Sequence, residues 1–283
     1  MTRPTETSGI LGDTAARDYS RKLSQFNAFA EPELRQSIAS LQLQAGMRVL
    51  DAGCGAGDAL AWLRADVGDE GVVMGIDLAA AHAVAARAVA PAEALVMQAD
   101  LLSPPVVGQS LDLIWSVNTV NHFHDPVAGL KAFARLLRPG GRVALGQSSL
   151  LPDMYFAWDA RLERLVNDAV RQYYRDRYQV SERDMTGVRS LVGLMQRAGL
   201  RDITVRTVMI ERTWPLRPAD ESYLLETIFR NTWGERLRPH LSSEDFDSLT
   251  RLCDPEHPEF ALRRPDFHFL QSFTLAVGTV EAA

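Results

Sequence analysis

Cysteine and lysine are scarce in this sequence of 283 residues, and it contains no long apolar run. Its two cysteines, Cys54 and Cys253, are too few for a disulfide framework or a cysteine metal site, so we expect a reducing, cytoplasmic location and no metal. Asp and Glu outnumber Lys and Arg by 36 to 30, and Lys22 and Lys131 are the only lysines. The excess of acidic residues argues against nucleic-acid partners. The sequence has neither a signal-peptide core nor an apolar run long enough to span a membrane, so we expect no membrane partner.

The length of the chain fits one α/β domain that carries insertions. Residues 1–14 contain Thr, Ser, Gly and Pro and predict a disordered lead-in. Apolar residues then recur near the helical period over 15–45, with a break at Pro32. We therefore expect two N-terminal helices, followed by a ligand-binding core over residues 46–150.

The most informative stretch is residues 48–58, Arg-Val-Leu-Asp-Ala-Gly-Cys-Gly-Ala-Gly-Asp. A short strand pattern reaches Asp51, and Gly53, Gly55 and Gly57 follow at every second position before a helical pattern begins. Glycine suits a backbone with positive φ or one that lies against a ligand, and a helix N-terminus offers free N–H groups. The stretch predicts a strand, a turn and a helix that hold a small molecule, or a glycine-rich turn without a ligand.

Two further strand patterns end in an acid. Residues 72–78 reach Asp77 and Leu78, and a third strand pattern is closed by Asp100 and Leu101. Right-handed crossovers bring the carboxyl ends of parallel strands together, so we expect Asp77 beside the glycine turn, where it can accept hydrogen bonds from a ribose. The alternatives are a helix cap for Asp77 and a turn after an edge strand for Asp100.

The spacing of the glycines separates two families. Dinucleotide-binding proteins use G-x-G-x-x-G, whereas this sequence has G-x-G-x-G two residues after Asp51. The motif Asp-Ala-Gly-Cys-Gly-Ala-Gly resembles motif I of the class I S-adenosylmethionine-dependent methyltransferases, and the likeness covers roughly residues 47–145. It implies that residues 46–150 bind S-adenosylmethionine and that the helices of 15–45 form a lid.

The resemblance also implies roles for single residues. Asp51 would lie near the amino acid end of the cofactor, with the three glycines close to the cofactor, and Asp77 with Leu78 would meet its ribose. Asp100 would accept a hydrogen bond from the adenine amine while Leu101 packs on the ring. Tyr19 in the lid would reach the cofactor carboxylate, or would anchor an amphipathic helix.

The fourth strand, residues 111–116, resembles motif IV, and the resemblance implies that the following residues 117–126, which include Asn118, run below the sulfonium. His122 and His124 stand where an acceptor would arrive, and a histidine can act as a general base near neutral pH. We take His122 as the candidate base, although many relatives carry a histidine there without using it in this way. No N/D-P-P-Y/F signature of methylation at exocyclic base or glutamine amides is present.

The rest of the chain predicts the remaining sheet and two helical insertions. Residues 138–141, Arg-Pro-Gly-Gly, predict a helix stop and a turn before the fifth strand. Residues 151–185 carry an amphipathic pattern with balanced charges, which predicts a cap helix. Residues 186–283 complete the sheet with a sixth and a seventh strand around a helical insertion at 217–262.

Within that insertion, Asp220 is predicted to cap a helix that stops at Gly234, and Ser242 with Asp245 to form a capping box for the next helix. Aromatic side chains of the cap either wall an acceptor pocket or pack in the core. They are Tyr155, Phe156, Trp158, Tyr173 and Tyr174.

The expected fold is α/β, with a Rossmann-like seven-stranded sheet of order 3-2-1-4-5-7-6, an antiparallel last strand, a helical N-terminal lid and helical insertions that form a cap. The expected function is methyl transfer from S-adenosylmethionine to O, N or C of a small-molecule acceptor, because the sequence resembles quinone-biosynthesis and natural-product tailoring methyltransferases. A homodimer is left open. The alternatives are a cofactor-binding protein of the same fold without methylation, or a nucleic-acid or protein methyltransferase.

Overall fold

One mixed sheet of eight strands forms the centre of the protein, which the computed structural model describes over residues 14–148, 154–179 and 187–281. The strands are β1 Arg48–Ala52, β2 Val72–Asp77, β3 Leu95–Gln98, β4 Leu111–Val117, β5 Leu137–Ser148, β6 Tyr155–Phe156, β7 Arg201–Thr213 and β8 His268–Thr279. Their order is β3-β2-β1-β4-β5-β8-β6, and β7 pairs with β8. Strands β1 to β5 are parallel, and β8 is antiparallel to β5, β6 and β7.

This topology confirms the predicted sheet, since the order 3-2-1-4-5-7-6 corresponds to β3-β2-β1-β4-β5-β8-β7. The two-residue strand β6 was not predicted. It pairs with Phe269 and Leu270 of β8, beyond the pairing of β8 with β5. A strand of two residues is too short for an alternating pattern, so the sequence carries no signal for it.

Helices cover both faces of the sheet. The α-helices are α1 Ser20–Ser40, α2 Asp58–Val67, α3 Ala80–Val89, α4 Pro126–Leu136, α5 Ala160–Tyr178, α6 Gly187–Arg197, α7 Pro218–Ser222 and α8 Ser243–Cys253. Short 3-10 helices span Val120–His122, Gly234–His240 and Ala261–Arg263, and a π-helix spans Tyr223–Trp233. Within the described residues, no helix combines the length and apolar character that a membrane crossing requires.

Two hydrophobic cores lie on opposite faces of the sheet. One joins α1, α2, α3 and α5 with the cap, and the other joins α4 and α6. Helix α4 shows why these residues form a helix: the Asp125 side chain accepts a hydrogen bond from the Ala128 N–H, and Pro126 occupies the first turn. Its buried face presents Leu130 and Phe133 to the second core.

The two predicted N-terminal helices are one, which is a correction. Helix α1 continues through Pro32, and its buried face includes Phe29 and Leu34 on either side of that proline. A proline inside a helix removes one hydrogen bond and displaces the preceding carbonyls. Here the Phe29 carbonyl accepts hydrogen bonds from the guanidinium groups of Arg212 and Arg217, so tertiary contacts stabilise a helix that local sequence would end.

The predicted boundary between the helix and the fifth strand also differs. Residues 138–141 do not form a separate turn before the fifth strand: Leu137 already pairs with Leu111, and the pairing shifts register before Leu113 meets Arg142. The segment is a bulge, and Gly140 there has a φ of 78°.

The predicted caps of the C-terminal insertion are partly right. Ser242 caps α8 and accepts a hydrogen bond from the Asp245 N–H, as predicted. The N-cap of α7 is Arg217, and Asp220 is its third residue, so the predicted cap at Asp220 is wrong by three positions. Asp220 still accepts a hydrogen bond from the Arg217 N–H, at 3.1 Å. Residues 1–13 and 180–186, which include most of the predicted lead-in and the end of the predicted cap insertion, lie outside the described residues.

Candidate functional site

A cavity of about 500 Å³ opens at the carboxyl ends of β1, β2 and β4, and we call it the strand-end cavity. Its volume falls in the range of small-molecule sites. Ten of the eleven predicted site residues line it: Tyr19, Asp51, Gly53, Gly55, Asp77, Leu78, Asp100, Leu101, Asn118 and His122. The topology thus brings together residues from four strand ends and from the start of α1, although Tyr19 and His122 are 103 positions apart in the chain.

The glycine turn between β1 and α2 is needed for close packing as well as for backbone shape. Gly53 and Gly55 have φ values of 79° and 52° and line the strand-end cavity. A Cβ on Gly53 would overlap the Thr119 side chain, and one on Gly55 would lie 2.8 Å from Cδ1 of Leu23. Both positions therefore require glycine.

Gly57 is the one predicted site residue that does not line the strand-end cavity. Its φ is 89°, and a Cβ would lie 2.7 Å from the Ala86 Cα. The structure therefore explains this glycine by the close approach of α2 to α3. The even spacing of the three glycines suggested one shared role. In the structure, however, the third glycine faces α3.

Asp51 is buried at the end of β1, with 3% of its surface exposed, and it faces the strand-end cavity. Burial and the neighbouring carboxylates of Asp77 and Asp58 raise the pKa of the Asp51 carboxyl to about 8. Without a ligand this group is therefore largely protonated at neutral pH. A cation placed beside it would favour the carboxylate instead.

This raised pKa predicts how stability depends on pH. An aspartate in the unfolded chain loses its proton near pH 4, whereas Asp51 in the folded protein keeps it up to about pH 8. The folded state thus binds an additional proton in this window, and the contribution of Asp51 to the free energy of unfolding decreases as pH rises from about 4 to about 8, by at most about 1.4 kcal/mol per pH unit.

Urea unfolding of the ligand-free protein and of Asp51→Asn across this pH range measures the effect. We expect the variant to gain stability over the parent as pH rises, because an amide carries no charge to desolvate. A constant difference between the two proteins from pH 4 to pH 8 would contradict the assignment.

Asp77 is held by three hydrogen-bond donors at the end of β2. Its Oδ2 accepts from the Gly55 N–H at 3.0 Å, and its Oδ1 accepts from the Ala79 N–H at 2.9 Å and lies 3.1 Å from His82 Nδ1. The expected position beside the glycine turn is confirmed by the first of these contacts. The helix-cap alternative is wrong, since the N-cap of α3 is Ala79 and no side chain caps this helix.

Asp100 follows β3, and its side chain both stabilises a local turn and lines the strand-end cavity. Its Oδ1 accepts from the Leu102 N–H at 2.9 Å, which is a local turn, and its side chain lines the strand-end cavity together with Leu101. The turn and the binding role are compatible, because a carboxylate has lone pairs beyond those that one N–H uses.

Helix α1 forms the roof of the strand-end cavity, and sequence reasoning missed most of its lining residues. Tyr19 stands at its start, and the face below carries Leu23, Phe26, Asn27 and Leu34. The Asn27 side chain donates a hydrogen bond to Asp58 at the start of α2, at 2.9 Å. Spacings of three and four predict such a face, but nothing in the sequence shows what it covers.

The predicted cap residues lie behind this roof. Gln25 of α1 contacts Ser222 at 3.1 Å and Thr227 at 2.8 Å, so the C-terminal insertion supports α1 from its outer side. None of the cap aromatics in question lines the cavity: Tyr155, Phe156, Trp158, Tyr173 and Tyr174. Phe156 and Trp158 stack on each other, 4.1 Å between ring centroids, as core packing predicts.

The remaining wall follows β4. Asn118 has a φ of 53°, and its Oδ1 accepts hydrogen bonds from Gln147 and from the backbone and side chain of Ser148. These donors fix the Asn118 side chain and direct its amide nitrogen away from β5. His122 ends the following 3-10 helix and lines the same cavity as Asp51, and His124 lies two residues further along the wall. Trp62 and Trp115, which were not predicted as site residues, complete the wall.

The fold and this site define a class of protein. Parallel strands ordered 3-2-1-4-5, a glycine turn after the first strand and acids at the next strand ends form a Rossmann-like binding site for a nucleoside-containing ligand.

Comparison with known proteins narrows the class. Residues 50–145 match the model of a methyltransferase domain. The chain is 29% identical over 190 residues to methyltransferase GfsG from Streptomyces halstedii, across 65% of this chain and 63% of that protein. It is 33% identical over 117 residues to 27-O-demethylrifamycin SV methyltransferase from Amycolatopsis mediterranei, across 40% and 42% of the two chains. The match thus covers less than two thirds of each relative's length.

Among solved structures, the YcgJ protein from Bacillus subtilis shares the fold with a TM-score of 0.58 at 16% identity, over 89% of this chain and all of that one. Residues 50–145 therefore belong to a methyltransferase domain, as the resemblance of motif I to the class I S-adenosylmethionine-dependent methyltransferases predicted. S-adenosylmethionine is the cofactor of this class.

Proposed function

We propose that this protein transfers the methyl group of S-adenosylmethionine to a small-molecule acceptor bound in the strand-end cavity. The observation that carries the proposal is the convergence of Asp51, Asp77 and Asp100 with the glycine turn on one cavity. Each acid lies at or just after the carboxyl end of a different strand, so the requirements of a single turn do not account for all three. Binding of a ligand with a cationic end and a diol accounts for them together.

The residues present fit that cofactor. Asp51 is a buried carboxyl whose pKa is raised because it lies near other acids in an apolar site, and a cationic ammonium group would stabilise its charged form. Asp77 has both oxygens oriented by N–H donors and retains acceptor capacity for a ribose diol. Asp100 with Leu101 would hold the adenine, and Tyr19 would close the amino acid end.

In methyl transfer the main task of the protein is to align the acceptor atom with the methyl carbon and the sulfur. When bound, the cofactor supplies a methyl group on a sulfonium, and its sulfur leaves as a neutral thioether. The acceptor atom forms a bond to the methyl carbon while the carbon–sulfur bond breaks, and an acceptor O–H or acidic C–H must also lose its proton. His122 lines the cavity and would take that proton. The roof of α1 excludes water and holds the reactants in position, a contribution of up to about 7 to 11 kcal/mol.

The finer identity of the acceptor is also a proposal. One relative is named as a 27-O-demethylrifamycin SV methyltransferase, and an apolar wall of Phe26, Trp62 and Trp115 suits an acceptor with a hydrophobic ring. We therefore propose a tailoring role in secondary metabolism or quinone-like biosynthesis, with oxygen the first atom to test.

Incubation of the protein with methyl-labelled S-adenosylmethionine and a panel of phenols, enols, amines and carboxylic acids tests the function. Transfer of label to an organic-soluble product is the expected result. Tight cofactor binding without transfer of label to any acceptor of the panel, or to any small molecule of a cell extract, would favour the non-methylating alternative.

The first prediction from the proposal concerns the ribose acid. Asp77→Ala removes the carboxylate expected to accept from the diol, so we expect the dissociation constant of S-adenosylhomocysteine to rise by a factor on the order of ten to a thousand. Isothermal titration calorimetry measures it. The matched control is Asp69→Ala, in the exposed turn before β2, which should leave the constant unchanged. Unchanged affinity in a folded Asp77→Ala protein would remove the ribose assignment.

A further inference from the structure

We infer that His82 is a positioning residue that couples the cofactor acid Asp77 to the docking of the N-terminal segment at Tyr19. The inference rests on the proposed function, because it gives Asp77 a role in binding cofactor. His82 lies on α3, outside the strand-end cavity, and is buried, with 2% of its surface exposed. Nothing in the sequence distinguished it from an ordinary residue of an alanine-rich helix.

The two ring nitrogens of His82 contact two different parts of the site. Nδ1 lies 3.1 Å from Oδ1 of Asp77, and Nε2 accepts a hydrogen bond from the Tyr19 N–H at 3.2 Å. A backbone amide can only donate, so Nε2 must be the unprotonated nitrogen and the ring proton resides on Nδ1. The Nδ1–H therefore donates to Asp77, and one imidazole ring bridges the two partners in a single tautomer.

Both partners depend on this bridge for their position. Oδ1 of Asp77 is oriented by His82 and the Ala79 N–H, while Oδ2 is oriented by the Gly55 N–H. Tyr19 is the N-cap of α1, and its backbone N–H donates to His82. A shift of the imidazole would thus move the carboxylate and the beginning of the roof helix together.

Further contacts show that the N-terminal segment is packed on the start of α3. The Ala80 N–H donates to the Ala15 carbonyl at 3.1 Å, and the rings of Tyr19 and His82 meet edge to face with centroids 4.4 Å apart. The Arg17 guanidinium lies over the Tyr19 ring, 4.9 Å from its centroid. Residues 15–19 therefore pack on the start of α3 beside His82, and Tyr19 among them lines the strand-end cavity.

This arrangement implies reciprocal coupling. A ligand that orders the Asp77 carboxylate stabilises the His82 hydrogen bond, and His82 in turn stabilises the segment that carries Tyr19. By linkage, docking of the segment strengthens ligand binding by the same free energy. Binding of S-adenosylhomocysteine should then slow hydrogen exchange at residues 15–23 through His82 as well as through direct contact.

Two conservative variants separate the halves of the bridge. His82→Asn places an amide nitrogen near the position of Nδ1 and can still donate to Asp77, but it does not reach Tyr19. His82→Gln reaches the position of Nε2 and can accept from the Tyr19 N–H, but it leaves Asp77 without this donor. We expect each variant to weaken S-adenosylhomocysteine binding by about tenfold and to lose the ligand-induced protection of residues 15–23.

A double-mutant cycle with Asp77→Ala supplies the decisive comparison. If His82 acts through Asp77, His82→Gln should cost about tenfold in the wild-type background and less than about twofold in the Asp77→Ala background. Equal costs in both backgrounds, or ligand-induced protection of residues 15–23 that persists in both His82 variants, would overturn the inference. Failure of the wild-type protein to bind S-adenosylhomocysteine would instead overturn the proposed function, and this inference with it.

Discussion

Arg212→Ala is expected to lower the free energy of unfolding by about 3 to 5 kcal/mol, because it removes the guanidinium that pairs with Glu33 and leaves the buried Asp220 with Arg217 alone. Arg212 is 8% exposed on β7, and its guanidinium donates to both oxygens of Glu33 at 2.8 and 2.9 Å and to Asp220 at 2.8 Å. It also donates to the Phe29 carbonyl. Burial opposes the charge of Arg212, but the hydrogen bonds and charges of Glu33 and Asp220 prevail and raise its pKa.

The effect should reach the roof as well as global stability, since Glu33 and Phe29 belong to α1. Urea unfolding measures the loss, and hydrogen exchange should show α1 less protected in the variant at a temperature where the sheet stays folded. Arg201→Ala is the matched control, because Arg201 begins the same strand and pairs with Glu281 on the surface, where both side chains are more than 60% exposed. It should cost at most about 1 kcal/mol. A similar loss of unfolding free energy in both variants would show that the buried ion pairs of Arg212 contribute no more to stability than a surface pair.

His122→Ala should lower kcat by a factor on the order of a hundred to ten thousand if the acceptor must lose a proton, with cofactor affinity preserved. The reason is that His122 lines the strand-end cavity after β4, where the proposed acceptor would meet the methyl group. The pH dependence of kcat should also lose the limb that a histidine base produces. Steady-state kinetics across pH, on the acceptor found by label transfer, measure both quantities.

His124→Ala is the control, because His124 lines the same cavity two residues further on. The substitution removes the same side-chain volume as His122→Ala. We expect it to change kcat far less and to keep the pH limb. A His122→Ala enzyme with near-normal turnover on its true acceptor would remove the general-base role, and an amine acceptor that is already neutral would be consistent with positioning alone.

The sequence predicted the parts of the site that are local. A glycine turn after a β-branched strand specifies its own backbone, and three acids at three strand ends are visible as soon as the strands are recognised. Because right-handed crossovers bring the carboxyl ends of parallel strands to the same edge of the sheet, the sequence alone predicts that Asp51 and Asp77 lie there together. Asp77 accepts from the Gly55 N–H in the structure, as that argument requires.

The errors arose where a tertiary contact overrode a local signal. Pro32 indicated a break, yet α1 runs through it because the Arg212 network and the buried faces around Phe29 stabilise the longer helix. Asp220 has the chemistry of a cap, yet it lies inside α7 and pairs with Arg212, which is eight residues earlier on another element.

By itself, the sequence determined the class of fold and the strand-end residues, since these follow from periodicity, glycine spacing and the handedness of the crossovers. The cofactor followed from the resemblance of motif I to a known family. Tertiary structure alone decided that a single helix closes the cavity, that Asn27 and Asp58 join roof and floor, and that His82 bridges Asp77 and the Tyr19 amide. Those three contacts join residues that are 5 to 63 positions apart, and the contact between Tyr19 and His82 uses the Tyr19 backbone amide. Their partners depend on how elements pack in three dimensions, for which one-dimensional periodicity contains no information.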